Sequence, residues 1–135
     1  MKKVLFVIAG LYGGGAERVL SNLVINFPED WEIDILLNNN RIEFPYKGNI
    51  LTLSLPDFGE RKTIGYFIRE VVRRTCYLRK LKKNNNYSAC ISLLESSNIS
   101  NILSGNKYCK TIISIHNVMV SKEAKLLYRI SAYPL

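Results

Sequence analysis

The 135-residue chain is poor in the residues that build metal centres, disulfide frames and membrane spans. It has one histidine and three cysteines, and Cys76, Cys90 and Cys109 are too far apart to suggest a ligand set or a paired framework. They read as reduced, mostly buried thiols, and neither a metal nor a cofactor is expected. No apolar run approaches the roughly 20 residues that cross a bilayer. Lys2-Lys3 is followed by a short apolar stretch broken by glycines, without the longer apolar region and small-residue cleavage site of a signal peptide. A cytoplasmic location is the default expectation. Acids are scarce beside bases, 11 against 19, leaving a net charge of +8. Nine of the bases crowd between Arg61 and Lys83, which favours a phosphate-bearing partner. No zinc-finger, RNA-recognition or helix-turn-helix pattern accompanies them, so nucleic acid is not expected.

What the chain does have is apolar mass, 47% of its residues, enough for one domain over 1–135 with a real core. Apolar runs alternate with helical periodicity. Strands are predicted over 3–9, 31–37, 50–55, 87–94 and 108–115. Helices are predicted over 16–27, 62–83, 96–103 and 121–132, the first with Val19, Leu20, Leu23 and Phe27 on one face. The alternation implies an α/β, Rossmann-like parallel sheet with helices on both faces. Ligands of such sheets gather beyond the carboxyl ends of the strands, where Gly13–Gly15, residues 94–98 and His116-Asn117 are all expected.

The strand Val4–Ala9 runs through Gly13-Gly14-Gly15 straight into a helix. Backbone N–H groups and the positive end of a helix dipole meet there, which suits an anionic group. Neither the G-x-G-x-x-G spacing nor the P-loop spacing is present. The glycines either admit a ligand to the backbone or only make a tight turn. Glu17 complements the helix dipole, while Arg18, a base in a first turn, leaves room for an anion contact. Glu95 either meets a ligand hydroxyl, acts as a base or is an ordinary first-turn acid, and Ser96, Ser97 and Asn98 fit helix capping. His116 and Asn117 stand where a neutral imidazole and an amide could hydrogen-bond a ligand, or where Asn117 merely forms a turn. The basic, aromatic-bearing helix over 62–83, with Ile64, Phe67, Ile68, Val71, Val72, Cys76, Leu78 and Leu81 as its apolar positions, either lies on an anionic membrane or packs with a solvated face.

Gly13-Gly14-Gly15-Ala16-Glu17-Arg18-Val19-Leu20 with Asn22-Leu23 resembles the opening of family 4 glycosyltransferases of the GT-B type. Thr111-Ile112-Ile113-Ser114-Ile115-His116-Asn117 resembles that family's later strand ending in a cleft histidine, and Leu127–Pro134 the helix that follows. The three matches fall in the family's order and span most of the chain.

The resemblance implies the acceptor-side, N-terminal half of a retaining, metal-independent enzyme. That enzyme moves a sugar from a nucleotide-sugar donor to a glycan or lipid-linked acceptor in bacterial-type surface polysaccharide synthesis. It implies His116 at the sugar, and Gly13, Gly14, Gly15, Glu17, Arg18, Glu95 and Asn117 at donor or acceptor. The family's second domain, with its paired glutamates, is not in these residues. The expectation is a truncated chain, inactive alone, at most peripheral on the inner membrane face. The alternative is a non-catalytic acceptor- or membrane-binding module, or one half of a split enzyme. An NAD-binding or flavodoxin-like reading is weaker, because Asp34 lies inside its strand and Asn38–Asn40 occupies the strand's end.

Overall fold

In the computed structural model, which describes residues 1–54 and 63–116, the strands are β1 (Lys2–Val7), β2 (Trp31–Leu37), β3 (Asn49–Thr52), β4 (Ala89–Leu93) and β5 (Lys110–Ser114). The helices are α1 (Gly15–Ile25), α2 (Ile64–Asn84) and α3 (Glu95–Leu103). The strands form one parallel sheet in the order β3-β2-β1-β4-β5, the α/β arrangement expected from the alternation. The helix predicted over 121–132, and Asn117, lie outside the described residues.

β1 is central, and its side chains feed two cores by strict alternation. Val4, Phe6 and Ile8 join Leu20 and Val24 of α1 and Ile33, Ile35 and Leu37 of β2 on one face. Leu5 and Val7 join Leu36, Leu78 of α2, Tyr87 and Cys90 on the other. Beyond its two leading lysines the run Val4–Ile8 is wholly apolar, as a strand covered on both faces requires. The edges of the first core hold Phe27, whose ring meets Phe6 and Trp31 edge-on with centroids 5.7 and 5.5 Å away.

α1 turns a different face inward from the one expected. Ala16, Leu20, Ser21 and Val24 are buried, whereas Val19 and Leu23 are about two-fifths exposed. The buried set follows i, i+4, i+5, i+8, and Ser21 can join it because its hydroxyl donates to the Pro45 carbonyl at 2.5 Å. Phe27 reaches the core from beyond the helix end, which falls at Ile25.

A buried acid, Asp34, lies in the middle of β2. Asp34 accepts hydrogen bonds from Tyr87 Oη at 2.5 Å and Asn49 Nδ2 at 3.1 Å, and pairs with Lys3 Nζ at 3.1 Å. Burial alone would raise the Asp34 carboxyl, but these three partners outweigh it and hold the group below the usual aspartate range. Burial and the bonded carboxylate push the Tyr87 hydroxyl upward.

Candidate functional site

The chain leaves β1 for β2 and β3 on one side and returns to β4 and β5 on the other. The carboxyl ends of β1 and β4 therefore flank the topological switch point where ligands of open α/β sheets bind. Three groups from the sequence reading reach this rim: the glycine loop after β1, Glu95 after β4 and His116 after β5.

The glycine loop is rigidly backed. Leu11 bridges Ile42 in parallel fashion, and its carbonyl accepts from Glu43 N at 2.8 Å and Phe44 N at 3.1 Å. The Arg41 guanidinium stacks 4.2 Å from the Tyr12 ring centroid and pairs with Glu43 at 3.0 Å. Gly13 has φ +73, a conformation that an L side chain adopts only under strain, and open space stands above it and above Gly15. Gly14 is the N-cap of α1 and has no side-chain cap. A Cβ at Gly14 would run into the carboxylate of Glu17, which folds back over the helix start. Arg18 turns away from the loop, its guanidinium 5.6 Å from the Phe44 ring.

The second wall is the β4–α3 junction. Leu94, the N-cap of α3, has φ +72 and ψ +154, a combination nearly confined to glycine. Glu95 follows as the first residue of α3 and is half-buried. The capping role expected for Ser96, Ser97 and Asn98 is not what these residues do, because α3 has no side-chain N-cap. Asn98 instead reaches under the rim. Its Oδ1 accepts from Ser92 Oγ at 2.7 Å and its Nδ2 donates to the Ser114 carbonyl at 3.0 Å. One turn on, Asn101 Nδ2 donates to the carbonyls of Cys90 and Ile112, both at 3.1 Å. These two amides bind α3 to β4 and β5 in place of an apolar interface. Ser97 is fully buried, and its hydroxyl has no partner. His116 is exposed two residues past β5 and shares a 2.7 Å hydrogen bond between its Nε2 and Ser114 Oγ.

α2 overturns the expected amphipathic pattern. Of the eight apolar positions named for it, only Leu78 is fully buried, while Ile64, Phe67, Ile68, Val72 and Cys76 are exposed. The buried stripe is Glu70, Arg74, Leu78 and Lys82, at strict four-residue spacing. α2 packs against α3, whose own buried residues are serines and asparagines, and within the stripe Glu70 Oε2 and Arg74 Nε have no hydrogen-bond partner. Lys82 Nζ donates to the carbonyls of Asn101 (3.1 Å) and Gly105 (2.9 Å) and to Thr111 Oγ1 (3.1 Å). Arg79 donates to the Leu103 carbonyl at 3.1 Å. Both cations satisfy the bare carbonyl end of α3 and complement its dipole. Part of the basic cluster thus caps a helix inside the fold, and Arg69, Arg73, Lys80 and Lys83 remain exposed. Arg61 and Lys62 lie outside the described residues. Burial lowers the Arg74 guanidinium to about 10, with Glu70 opposing, and lowers the Lys82 ammonium, whereas it raises the Cys90 thiol to about 12.

Two open grooves occur away from the switch point. One, of about 350 Å³, lies between the end of β3 and Arg73, Tyr77 and Lys80 of α2. The other, of about 590 Å³, lies beside Arg79 and the Ser104–Tyr108 loop. Among the described residues no group of three or more His, Cys, Asp or Glu side chains is placed to hold a metal ion. None of their helices is long and apolar enough to cross a membrane.

No family model and no curated protein matches this chain. The functional reading therefore rests on the rim itself and on the motifs of the sequence.

Proposed function

We propose that these residues form the acceptor-side domain of a family 4-like glycosyltransferase, which moves a sugar from a nucleotide-sugar donor to a glycan or lipid-linked acceptor. The observation that carries the reading is the convergence at one switch-point rim of the three segments holding the named motif residues. These are Gly13–Arg18, the strained Leu94-Glu95 turn, and His116 beyond β5. In this reading His116 and Glu95 meet sugar hydroxyls, and the glycine loop approaches the acceptor. Dipoles fixed in place by the backing hydrogen bonds stabilise the charge that develops on transfer. Donor contacts come from outside these 135 residues.

The test is an NMR titration of the chain with neutral oligosaccharides and with UDP, GDP and their sugars, run beside a transfer assay. Shifts confined to amides near 13–18, 94–97 and 114–116 with glycan, weak nucleotide binding and no transfer are expected. Tight nucleotide binding or sugar transfer by these residues alone would reject the reading.

A second reading, a non-catalytic module on an anionic membrane surface, draws on a separate observation. Ile64, Phe67, Ile68 and Val72 are 80%, 42%, 55% and 54% exposed, with Arg69 and Arg73 among them. A basic, apolar helical face of this kind suits an anionic bilayer. The two readings are compatible where the acceptor is lipid-linked.

A further inference from the structure

We propose that the groove between the end of β3 and α2 binds a phosphate ester, with Arg73 and Lys80 holding the phosphate and Tyr77 forming the wall between them. The site is separate from the switch-point rim and does not depend on the sugar-transfer reading.

Three observations carry it. First, there is room between fixed walls. The groove holds about 350 Å³, which suits one small ligand. On the strand side Leu53 N donates to the Leu37 carbonyl at 2.9 Å, and on the helix side Tyr77 packs against the second core. Second, the charge there is uncommitted. Arg79 and Lys82 are engaged by the carbonyl end of α3, and Arg74 is buried. Arg73 and Lys80 are exposed and make no hydrogen bond or ion pair with any described residue. Third, the two cations converge. The spacing of Arg73, Tyr77 and Lys80 puts all three on one face of α2. The cations stand about 10 Å apart along the axis, a span that two long side chains close on one phosphate between them. No acid is among the described residues that line the groove. A guanidinium takes two phosphate oxygens side by side, and an ammonium takes another as a point charge. A carboxylate would leave one cation unmatched, whereas a phosphate monoester carries close to two negative charges near neutral pH. The lining also supplies a reporter. Cys76 stands in the groove and is exposed, whereas Cys90 and Cys109 are buried, so a thiol reagent should reach Cys76 first.

The experiment follows alkylation of Cys76 by iodoacetamide, a neutral reagent, in the full chain at low salt. Glycerol 3-phosphate is the free probe, and phosphatidylcholine vesicles carrying phosphatidate are the lipid probe, with phosphatidylcholine alone as the blank. Amide shifts with glycerol 3-phosphate locate the contact. The expected result is saturable protection of Cys76 by a phosphate-bearing probe, with free-probe shifts at residues 52–53 and 73–80. Affinity should fall about fivefold or more in Arg73→Gln and in Lys80→Gln, and stay unchanged in Lys83→Gln. Melting temperatures confirm that these exposed substitutions leave the chain folded. Protection by glycerol 3-phosphate assigns the site to a free phosphate ester, and protection by phosphatidate vesicles alone assigns it to a lipid headgroup. Either carries the proposal. Absence of saturable protection by both probes, protection that persists in Arg73→Gln and Lys80→Gln, or shifts confined to residues 13–18 overturns it.

Discussion

At the scale of single residues, Leu94 at the carboxyl-end rim of the sheet is strained, while Asp34 gathers matched partners inside β2. Leu94 holds a glycine-like conformation at the first turn of the rim, at a cost on the order of 1–3 kcal/mol. Leu94→Gly should therefore be nearly neutral in chemical denaturation, relief of strain offsetting lost packing and chain entropy. Leu93→Gly, one residue earlier at a fully buried position, should cost about 4 kcal/mol. Comparable losses at both positions would contradict the strain. Asp34 provides a pH signature. Its carboxyl is depressed in the folded chain, so the stability it contributes is present above the ordinary aspartate value, about 4, and is lost as pH falls below that toward the folded value. Melting temperature should drop on acidification below pH about 4, and Asp34→Asn should flatten that limb while lowering stability at neutral pH. An acid limb of unchanged slope would mean that other carboxylates govern it.

At the scale of elements, α2 and α3 behave as one polar unit clamped by two cations. Lys82→Met keeps most of the side-chain volume but strands the Asn101 and Gly105 carbonyls, and should cost about 2–3 kcal/mol. Denaturant midpoints of Lys82→Met and Lys83→Met would check this, since Lys83 is exposed and its change should fall within about 0.5 kcal/mol. The same pair of helices marks the limit of what the sequence conveys. Trp31–Leu37 was legible as a strand to the residue, and the glycine loop, Glu95 and His116 were placed at strand ends correctly, because period and punctuation are local signals. The inward face of α2 was not legible. Its aliphatics follow helical period and look like a core stripe, whereas the buried stripe is Glu70, Arg74, Leu78 and Lys82, the last held by carbonyls 19 and 23 positions away that no local signal announces. Likewise Asn98 looks like a capping residue until its partners on β4 and β5, 6 and 16 positions away, are in place, and Asn101 carries no local signal of its bonds to the same strands. The strain at Leu94 leaves no mark in composition at all.

At the scale of the whole molecule, helix lengths set the shape of the rim. α2 has 21 residues and α3 has 9, about 31 and 14 Å of helix. Arg79 and Lys82 tie the far end of α2 to the carboxyl end of α3, and both helices run back across a parallel sheet. The first turns of α2 therefore project roughly 15 Å beyond the start of α3, on the side of the molecule where the switch point opens. The exposed apolar residues ride on that projection. Replacing Phe67 and Ile68 together by serine should leave the melting temperature within a few degrees of wild type and abolish flotation with anionic vesicles. Vesicle binding that survives the change would place the contact elsewhere. The amide links between α3 and β5 also carry a kinetic meaning. No residue of β5 belongs to either core cluster, and the strand is held by β4 on one side and by Asn98, Asn101 and Lys82 from one face. Hydrogen bonds of that kind form only after both helices have docked, so β5 should join last on folding and open first in the native state. Hydrogen exchange should find its amides released well below the global unfolding free energy, while those of β1 and β2 wait for it. His116 would then ride on an edge strand that opens ahead of the strands at the centre of the sheet.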